Sequence, residues 1–161
     1  MTISEGAALP DGTLLMMGDK GAEQVSVAER LKGRKVVVFG LPGAFTSTCS
    51  TAHLPSFMRT KPQFDAKGVD EIICISVNDP FVMKAWGEAT GATKAGITLA
   101  ADADGSFTKA IGMGFDVPHL GFFGRSRRYA ALVEDGVVKV VQIDKSGECN
   151  ISTGEALLEA I

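Results

Sequence analysis

The chain has 161 residues, 45% of them hydrophobic and 22% charged, with a formal net charge of -3, a balance that fits one compact domain over residues 1–161 and excludes a disordered or fibrous chain. Its 16 Lys and Arg residues are scattered among the acids, which argues against a nucleic-acid surface; the one basic cluster, Arg125-Ser-Arg-Arg128, is short and reads as a solvated turn at Arg125 and Arg127. No stretch approaches the roughly 20 apolar residues of a membrane span, and Met1-Thr-Ile-Ser-Glu-Gly6 lacks a basic segment followed by an apolar run, so the expectation is a cytoplasmic protein without membrane partners.

About 30 residues containing a short hairpin come first. Lys35-Val-Val-Val-Phe39, closed by Gly40, is a β-branched and aromatic run of the kind buried on both faces, and is predicted as a central strand. After the breaker Pro42-Gly43, apolar residues at 54, 57, 58 and 64 predict a helix from about Ser50 to Ala66, with Pro55 tolerable near its start or at a kink. Ile72-Ile-Cys-Ile-Ser-Val77 is a second continuous strand, followed by a turn at Asn78-Asp-Pro80 and a helix over 82–90 stopped by Gly91. This order implies a right-handed parallel crossover.

Further on, Ile97–Ala100 reads as a strand and Phe107–Ile111 as a short helix. Tyr129–Val133 and Val137–Ile143 flank Glu134-Asp-Gly136, a strong hairpin signal that adds two antiparallel strands. A last helix covers Glu155–Ile161, its start marked by Ser152-Thr153. The sum is an α/β fold of thioredoxin-like type with an N-terminal extension, its mixed central sheet flanked by helices.

A chain of this length buries about 70% of the surface its unfolded form exposes and folds without disulfide or metal. Its 3 cysteines, at 49, 74 and 149, form no CxxC pair and no metal-like cluster. Cys49 falls where a buried strand ends, a Pro-Gly turn intervenes and a helix begins. Unpaired backbone N–H groups and the positive end of the helix dipole stabilise an anion there, favouring thiolate over thiol. Thr46 brings a hydroxyl able to hydrogen-bond the sulfur and a bound oxygen, and Pro42 stiffens the loop and shields the sulfur. The bland alternative is that Thr46 to Ser50 are polar loop and capping residues only.

The spacing Pro42-x-x-x-Thr46-x-x-Cys49 resembles the active-site motif of the peroxiredoxins. The longer string Pro42-Gly-Ala-Phe-Thr-Ser-Thr-Cys-Ser-Thr-Ala-His-Leu-Pro55 is similar to the type II or type 5 subfamily, and the similarity continues through Ile72–Trp86 and Arg128–Gly136. Ser47 departs from it, standing where many members carry a second proline; Thr46 and Cys49 stay in register, and only loop rigidity is affected, since serine does not restrict φ.

The resemblance implies a peroxidase in which Cys49 attacks the terminal oxygen of hydrogen peroxide or an organic hydroperoxide, becomes a sulfenic acid and releases water or an alcohol. Thr46 would position the peroxide, and Arg128, at the start of a strand, would stabilise the thiolate and the charge developing on the leaving oxygen. Recycling would fall to glutathione with glutaredoxin, or to thioredoxin, with no metal, haem or flavin cofactor. A homodimer is implied, its contact formed by the segment with Phe81, Met83 and Trp86 and by the loops near Cys49 and Arg128, so those three residues are expected to be partly exposed.

Cys74 lies on a doubly covered strand and reads as a small core residue; in plant-type relatives a cysteine at the matching place is proposed to resolve the sulfenic acid, which here would need the first helical turn to unwind. Cys149, in a loop before the last helix, lies where animal-type members place a resolving cysteine. His53, one turn beyond Cys49, suits a helix-orienting or loop-packing role better than a Cys-His hydrolase or zinc site, and His119 suits a loop or interface. Three other functions compete: a redox sensor, separable by stoichiometric rather than sustained oxidation; a thioredoxin-type disulfide oxidoreductase, weakened by the missing CxxC; and a cysteine hydrolase, for which no His-Asn/Asp partner set is evident.

Overall fold

The computed structural model describes residues 2–161. Strands β1 (Thr13–Gly18) and β2 (Gly21–Ser26) form the opening hairpin, and a short helix α1 (Val27–Leu31), not foreseen in the sequence, follows under an N-cap from Ser26. β3 (Lys35–Gly40) leads through a loop and a π-helical turn, Cys49–His53, into α2 (Leu54–Ala66). Then come β4 (Glu71–Ser76), α3 (Pro80–Thr90), β5 (Thr98–Ala101), α4 (Ser106–Ala110), β6 (Gly114–Val117), β7 (Phe122–Ser126), β8 (Tyr129–Glu134), β9 (Val137–Ile143) and α5 (Gly154–Ala160).

Seven strands form one sheet in the order β2-β1-β5-β4-β3-β8-β9. β3 pairs in parallel with β4, and β4 with β5, while β8 runs antiparallel to β3 and β9 to β8. The sheet is therefore mixed, with β3 inside it as expected. The opening hairpin joins the sheet through Leu15 opposite Ala101, so the extension lengthens the sheet rather than standing apart.

Alternation along the buried strands feeds two apolar layers. Val37, Phe39, Ile72 and Cys74 pack with Phe57, Phe64, Trp86 and Leu157 of the helices on one face. Val36, Val38, Ile73 and Ile75 pack with Leu31, Phe107 and Tyr129 on the other. Cys49 belongs to the first layer, on the same side of the sheet as Cys74.

Local chemistry explains the boundaries. Asp79 caps α3 by accepting from the Val82 N–H at 2.8 Å, and Gly91 ends it with φ 80°, the left-handed geometry that suits glycine. Asp135 (φ 48°) and Gly136 (φ 77°) make the β8–β9 turn, both left-handed as a tight hairpin requires. Pro55 shapes the entry to α2. Having no N–H, it offers nothing to the Thr51 carbonyl, and its ring crowds that carbonyl. The chain widens by one residue just before it, and the Leu54 N–H donates to the Cys49 carbonyl five residues back.

One expectation is corrected, and one segment without a predicted strand is filled in. Met83 (1% exposed) and Trp86 (0%) are core residues, and only Phe81 (66%) faces outward. Residues 114–126, for which the sequence suggested no strand and only a solvated turn at Arg125, form the two-stranded β6–β7 hairpin with a bulge between Phe115 and Val117.

Candidate active site

The loop over residues 41–46 leaves the end of β3 in irregular conformation, and the chain turns helical at Ser47 and Thr48. Its Ala44 N–H donates to Asn78 Oδ1 (3.0 Å), which also accepts from Ser76 Oγ (2.6 Å), so the end of β4 anchors it. Phe45 is held at φ 62° with its ring exposed. Thr46 Oγ1 donates to the Gly43 carbonyl at 2.7 Å, folding the loop back on itself just before Cys49.

Cys49 opens the π turn and is 1% exposed. Arg128, just ahead of β8 and 8% exposed, brings Nη1 to 3.5 Å from Cys49 Sγ. The same nitrogen lies 3.2 Å from His53 Nδ1, and Arg128 Nε donates to the Glu148 carbonyl at 3.2 Å. His53 Nε2 is 2.9 Å from the Ser152 carbonyl. A guanidinium only donates and a carbonyl only accepts, so the network assigns the proton of His53 to Nε2 and leaves Nδ1 as acceptor.

Burial, and then the charge of Arg128, lower the pKa of His53 to about 3, which keeps the ring neutral. It packs edge-on against Phe39 and Phe57, at centroid distances of 5.1 and 5.7 Å. The sequence suggested only an orienting or packing role; the structure places His53 in direct contact with the arginine.

The two carbonyls that hold this pair lie on one loop, between β9 and α5. Asp144 organises it, its carboxylate accepting from the N–H groups of Asn150, Ile151 and Ser152 and from Ser152 Oγ. Burial pushes the Asp144 carboxyl up, but these bonds outweigh burial and hold it below the ordinary carboxylate range.

Pro42, Thr46, Thr48 and Arg128 line a mouth of about 470 Å³ whose far wall is apolar, formed by Phe115, Val117, Leu120 and Phe122. The structure therefore brings Pro42, Thr46, Cys49 and Arg128 to one place. It also brings Arg125, read from sequence as part of a solvated turn, against the loop, with Nη1 donating to the Pro42 carbonyl at 3.1 Å.

The other candidates lie apart from the mouth. Cys74 is buried in β4 opposite Phe39; burial, then the neighbouring Cys49, raise its pKa well above that of a free thiol. Cys149 is half-buried, and burial raises its pKa as well, against the lowering effect of Arg128. All three thiols are free. His119 is exposed in a short 3-10 turn. Among the described residues, no group of three or more His, Cys, Asp and Glu side chains is placed to hold a metal.

A parallel βαβ core continued by an antiparallel hairpin, with a lone cysteine at a helix start facing a buried guanidinium, defines a thiol-based redox protein of thioredoxin-like fold. The Redoxin family model matches residues 4–158. The chain is 44% identical over 99% of its length to Peroxiredoxin-2C of Oryza sativa subsp. japonica, covering 98% of that protein, and 42% identical over 99% of its length to Peroxiredoxin-2B of Arabidopsis thaliana, again covering 98%. Among solved structures, it is similar to reduced Prx3 of Vibrio vulnificus in complex with hydrogen peroxide, at 45% identity, a TM-score of 0.93 and 99% coverage of both chains. It is also similar to peroxiredoxin 5 of Alvinella pompejana, at 32% identity and a TM-score of 0.84, covering 98% of this chain and 97% of that one. The chain belongs to the Redoxin family and, within it, to the peroxiredoxins, which are thiol-dependent peroxidases.

Proposed function

We propose that residues 1–161 act as one peroxidase domain in which Cys49 reduces hydrogen peroxide and organic hydroperoxides. The observation that carries this reading is the 3.5 Å approach of Arg128 Nη1 to Cys49 Sγ. The thiolate attacks the terminal peroxide oxygen, the O–O bond breaks, and its electron pair leaves on the distal oxygen, which takes a proton and departs as water or an alcohol. Sulfur gives up two electrons and becomes a sulfenic acid.

Thr46 Oγ1 sends its own proton to the Gly43 carbonyl, so its lone pairs remain to accept from the peroxide O–H. Arg128 offers N–H donors to the sulfur and to the oxygen on which charge develops. Pro42 closes one side of the mouth. The apolar wall opposite suits the carbon skeleton of an organic hydroperoxide.

A second thiol then attacks the sulfenic acid, expelling water and forming a disulfide, which a further thiol reduces. Glutathione with glutaredoxin, or thioredoxin, supplies these electrons. Cys74 and Cys149 are the internal candidates. Cys74 lies in the middle of a strand bonded on both sides and meets Cys49 only if the π turn unwinds. Cys149 lies in a solvent-facing loop, which makes it the internal thiol that moves at lower cost.

A reducing compartment, the cytoplasm, suits a chain whose three cysteines are all free. Exposed Phe45 and Phe81, 59% and 66% accessible, support a homodimer contact beside the Cys49 loop; sedimentation that shows only monomer at micromolar concentration overturns it. The catalytic assignment is tested by sustained peroxide consumption with a thiol donor. Cys49→Ser is expected to abolish it, and turnover surviving in that variant overturns the assignment.

A further inference from the structure

We propose that Arg125 is a positioning residue, latching the β6–β7 hairpin onto the Pro42–Thr46 loop and so setting where Thr46 meets the peroxide. The proposal rests on reading Cys49 as the thiol that meets peroxide.

Arg125 sits near the end of β7, half-buried. Its guanidinium lies 5.2 Å from the centroid of the Phe122 ring and donates through Nη1 to the Pro42 carbonyl at 3.1 Å. Among the described residues it makes no ion pair with a carboxylate. A planar cation held between an aromatic face and a peptide carbonyl is more constrained than a solvated surface arginine, and its fork gives the contact a direction.

Gly43 completes the fit. A Cβ built on Gly43 would lie 2.5 Å from Arg125 Nη1, and its next neighbour would be Thr46 Cγ2 at 3.3 Å. Glycine at this position leaves the space that the guanidinium fills, and any larger residue pushes it off the Pro42 carbonyl.

The loop requires such a hold. Phe45 adopts φ 62°, a left-handed conformation that a residue with a bulky side chain rarely takes. Strain of this kind persists only where the surroundings over-determine it. Asn78 fixes Ala44 and Arg125 fixes Pro42, one on each side of Gly43, whose carbonyl accepts from Thr46. Releasing either anchor lets Phe45 relax and carries Thr46 with it, while Arg128 and His53 stay held by the loop between β9 and α5. The latch thus acts on the peroxide's position and leaves the thiolate's partner in place.

The test compares two reactions of Cys49 in Arg125→Ala, Arg125→Lys, Gly43→Ala and the Gly43→Ala/Arg125→Ala double variant. One is oxidation by hydrogen peroxide; the other is alkylation by iodoacetamide, which makes no use of Thr46. Arg125→Ala is expected to slow oxidation about tenfold with the alkylation rate unchanged, and Arg125→Lys to recover part of that loss. Gly43→Ala is expected to slow oxidation by a similar factor, and the double variant by about tenfold rather than about a hundredfold, since both changes undo one contact.

Oxidation at the wild-type rate in Arg125→Ala overturns the proposal. So do equal losses in both reactions, or multiplying losses in the double variant. Should Arg125→Ala fail to fold, Gly43→Ala and Arg125→Lys carry the same comparison. A wild-type chain whose Cys49 is not oxidised by peroxide points instead to failure of the functional reading.

Discussion

His53 Nδ1 and Arg128 Nη1 lie 3.2 Å apart, and the hydrogen bond between them runs in one direction, from guanidinium to imidazole. The same nitrogen faces Cys49 Sγ, so the ring that receives one N–H of the arginine orients the others. The pair is buried, and both members end on carbonyls of the loop that Asp144 organises.

Arg128→Met is expected to lower the rate of Cys49 oxidation by about 10²-fold or more, by analogy with the loss of one donor to a developing oxyanion. It also strands the buried His53 Nδ1 without a donor, at about 1–3 kcal/mol, whereas the carbonyl of exposed Glu148 can turn to water. Arg128→Lys keeps the charge, but a single ammonium cannot serve the three acceptors that the fork reaches. Stopped-flow oxidation and thermal melting measure the two losses, and Lys at wild-type speed excludes the fork as the reason for arginine.

His53 makes stability pH-dependent. Its folded-state pKa is lowered from 6.5 to about 3, so the unfolded chain takes up a proton that the folded chain refuses. The contribution is full above pH 6.5 and is lost as pH falls toward 3, at a limiting slope of about 1.4 kcal/mol per pH unit. His53→Gln, which keeps a donor for the Ser152 carbonyl, is expected to flatten the curve between pH 6.5 and 4.5, above the range where Glu71 (ordinary pKa 4.5, here about 2) adds its own loss. Denaturant melts across this range give the slopes, and identical slopes refute the assignment.

Mass spectrometry after one equivalent of peroxide locates the second thiol. Cys149→Ser is expected to remove an intramolecular disulfide if one forms, while Cys74→Ala leaves it unchanged. Loss of the disulfide in the Cys74 variant alone reverses the order argued above. A sulfenic acid or glutathione adduct persisting in the wild type makes the resolving thiol external.

Trp86, the only tryptophan, is fully buried and donates from Nε1 to Ser50 Oγ at 2.9 Å, one residue beyond Cys49. Unwinding of the π turn breaks this bond and exposes the indole. A red shift in emission is therefore expected for a Cys49–Cys74 disulfide, and not for a Cys49–Cys149 disulfide or for the sulfenic acid. A disulfide detected by mass without any spectral change means that the turn stays wound.

The sequence was most informative where one physical rule dominated. β3 and β4 read as buried strands because both faces are covered, the Asp-Gly turn required left-handed residues, and Cys49 stood at a helix start in a specific motif. The β6–β7 hairpin escaped because its strands are short and bulged, and glycines at 114, 121 and 124 interrupt any alternation. Arg125 escaped with it, since its partner, the Pro42 carbonyl, lies 83 residues away. The expected exposure of Met83 and Trp86 treated three neighbours as a unit. Helical spacing separates them: 83 and 86 share a face, and 81, two residues back, points elsewhere.

Cys74 shares a layer with the thiol meant to meet the oxidant, and its setting decides how many thiols compete for each peroxide molecule. Closed off by Phe39 and the helices, and held protonated by burial, it is a poor nucleophile. On the function proposed for Cys49, oxidising equivalents entering the mouth find a single competent sulfur, and the centre of the sheet is spared the polar, swollen side chain that peroxide would otherwise create there.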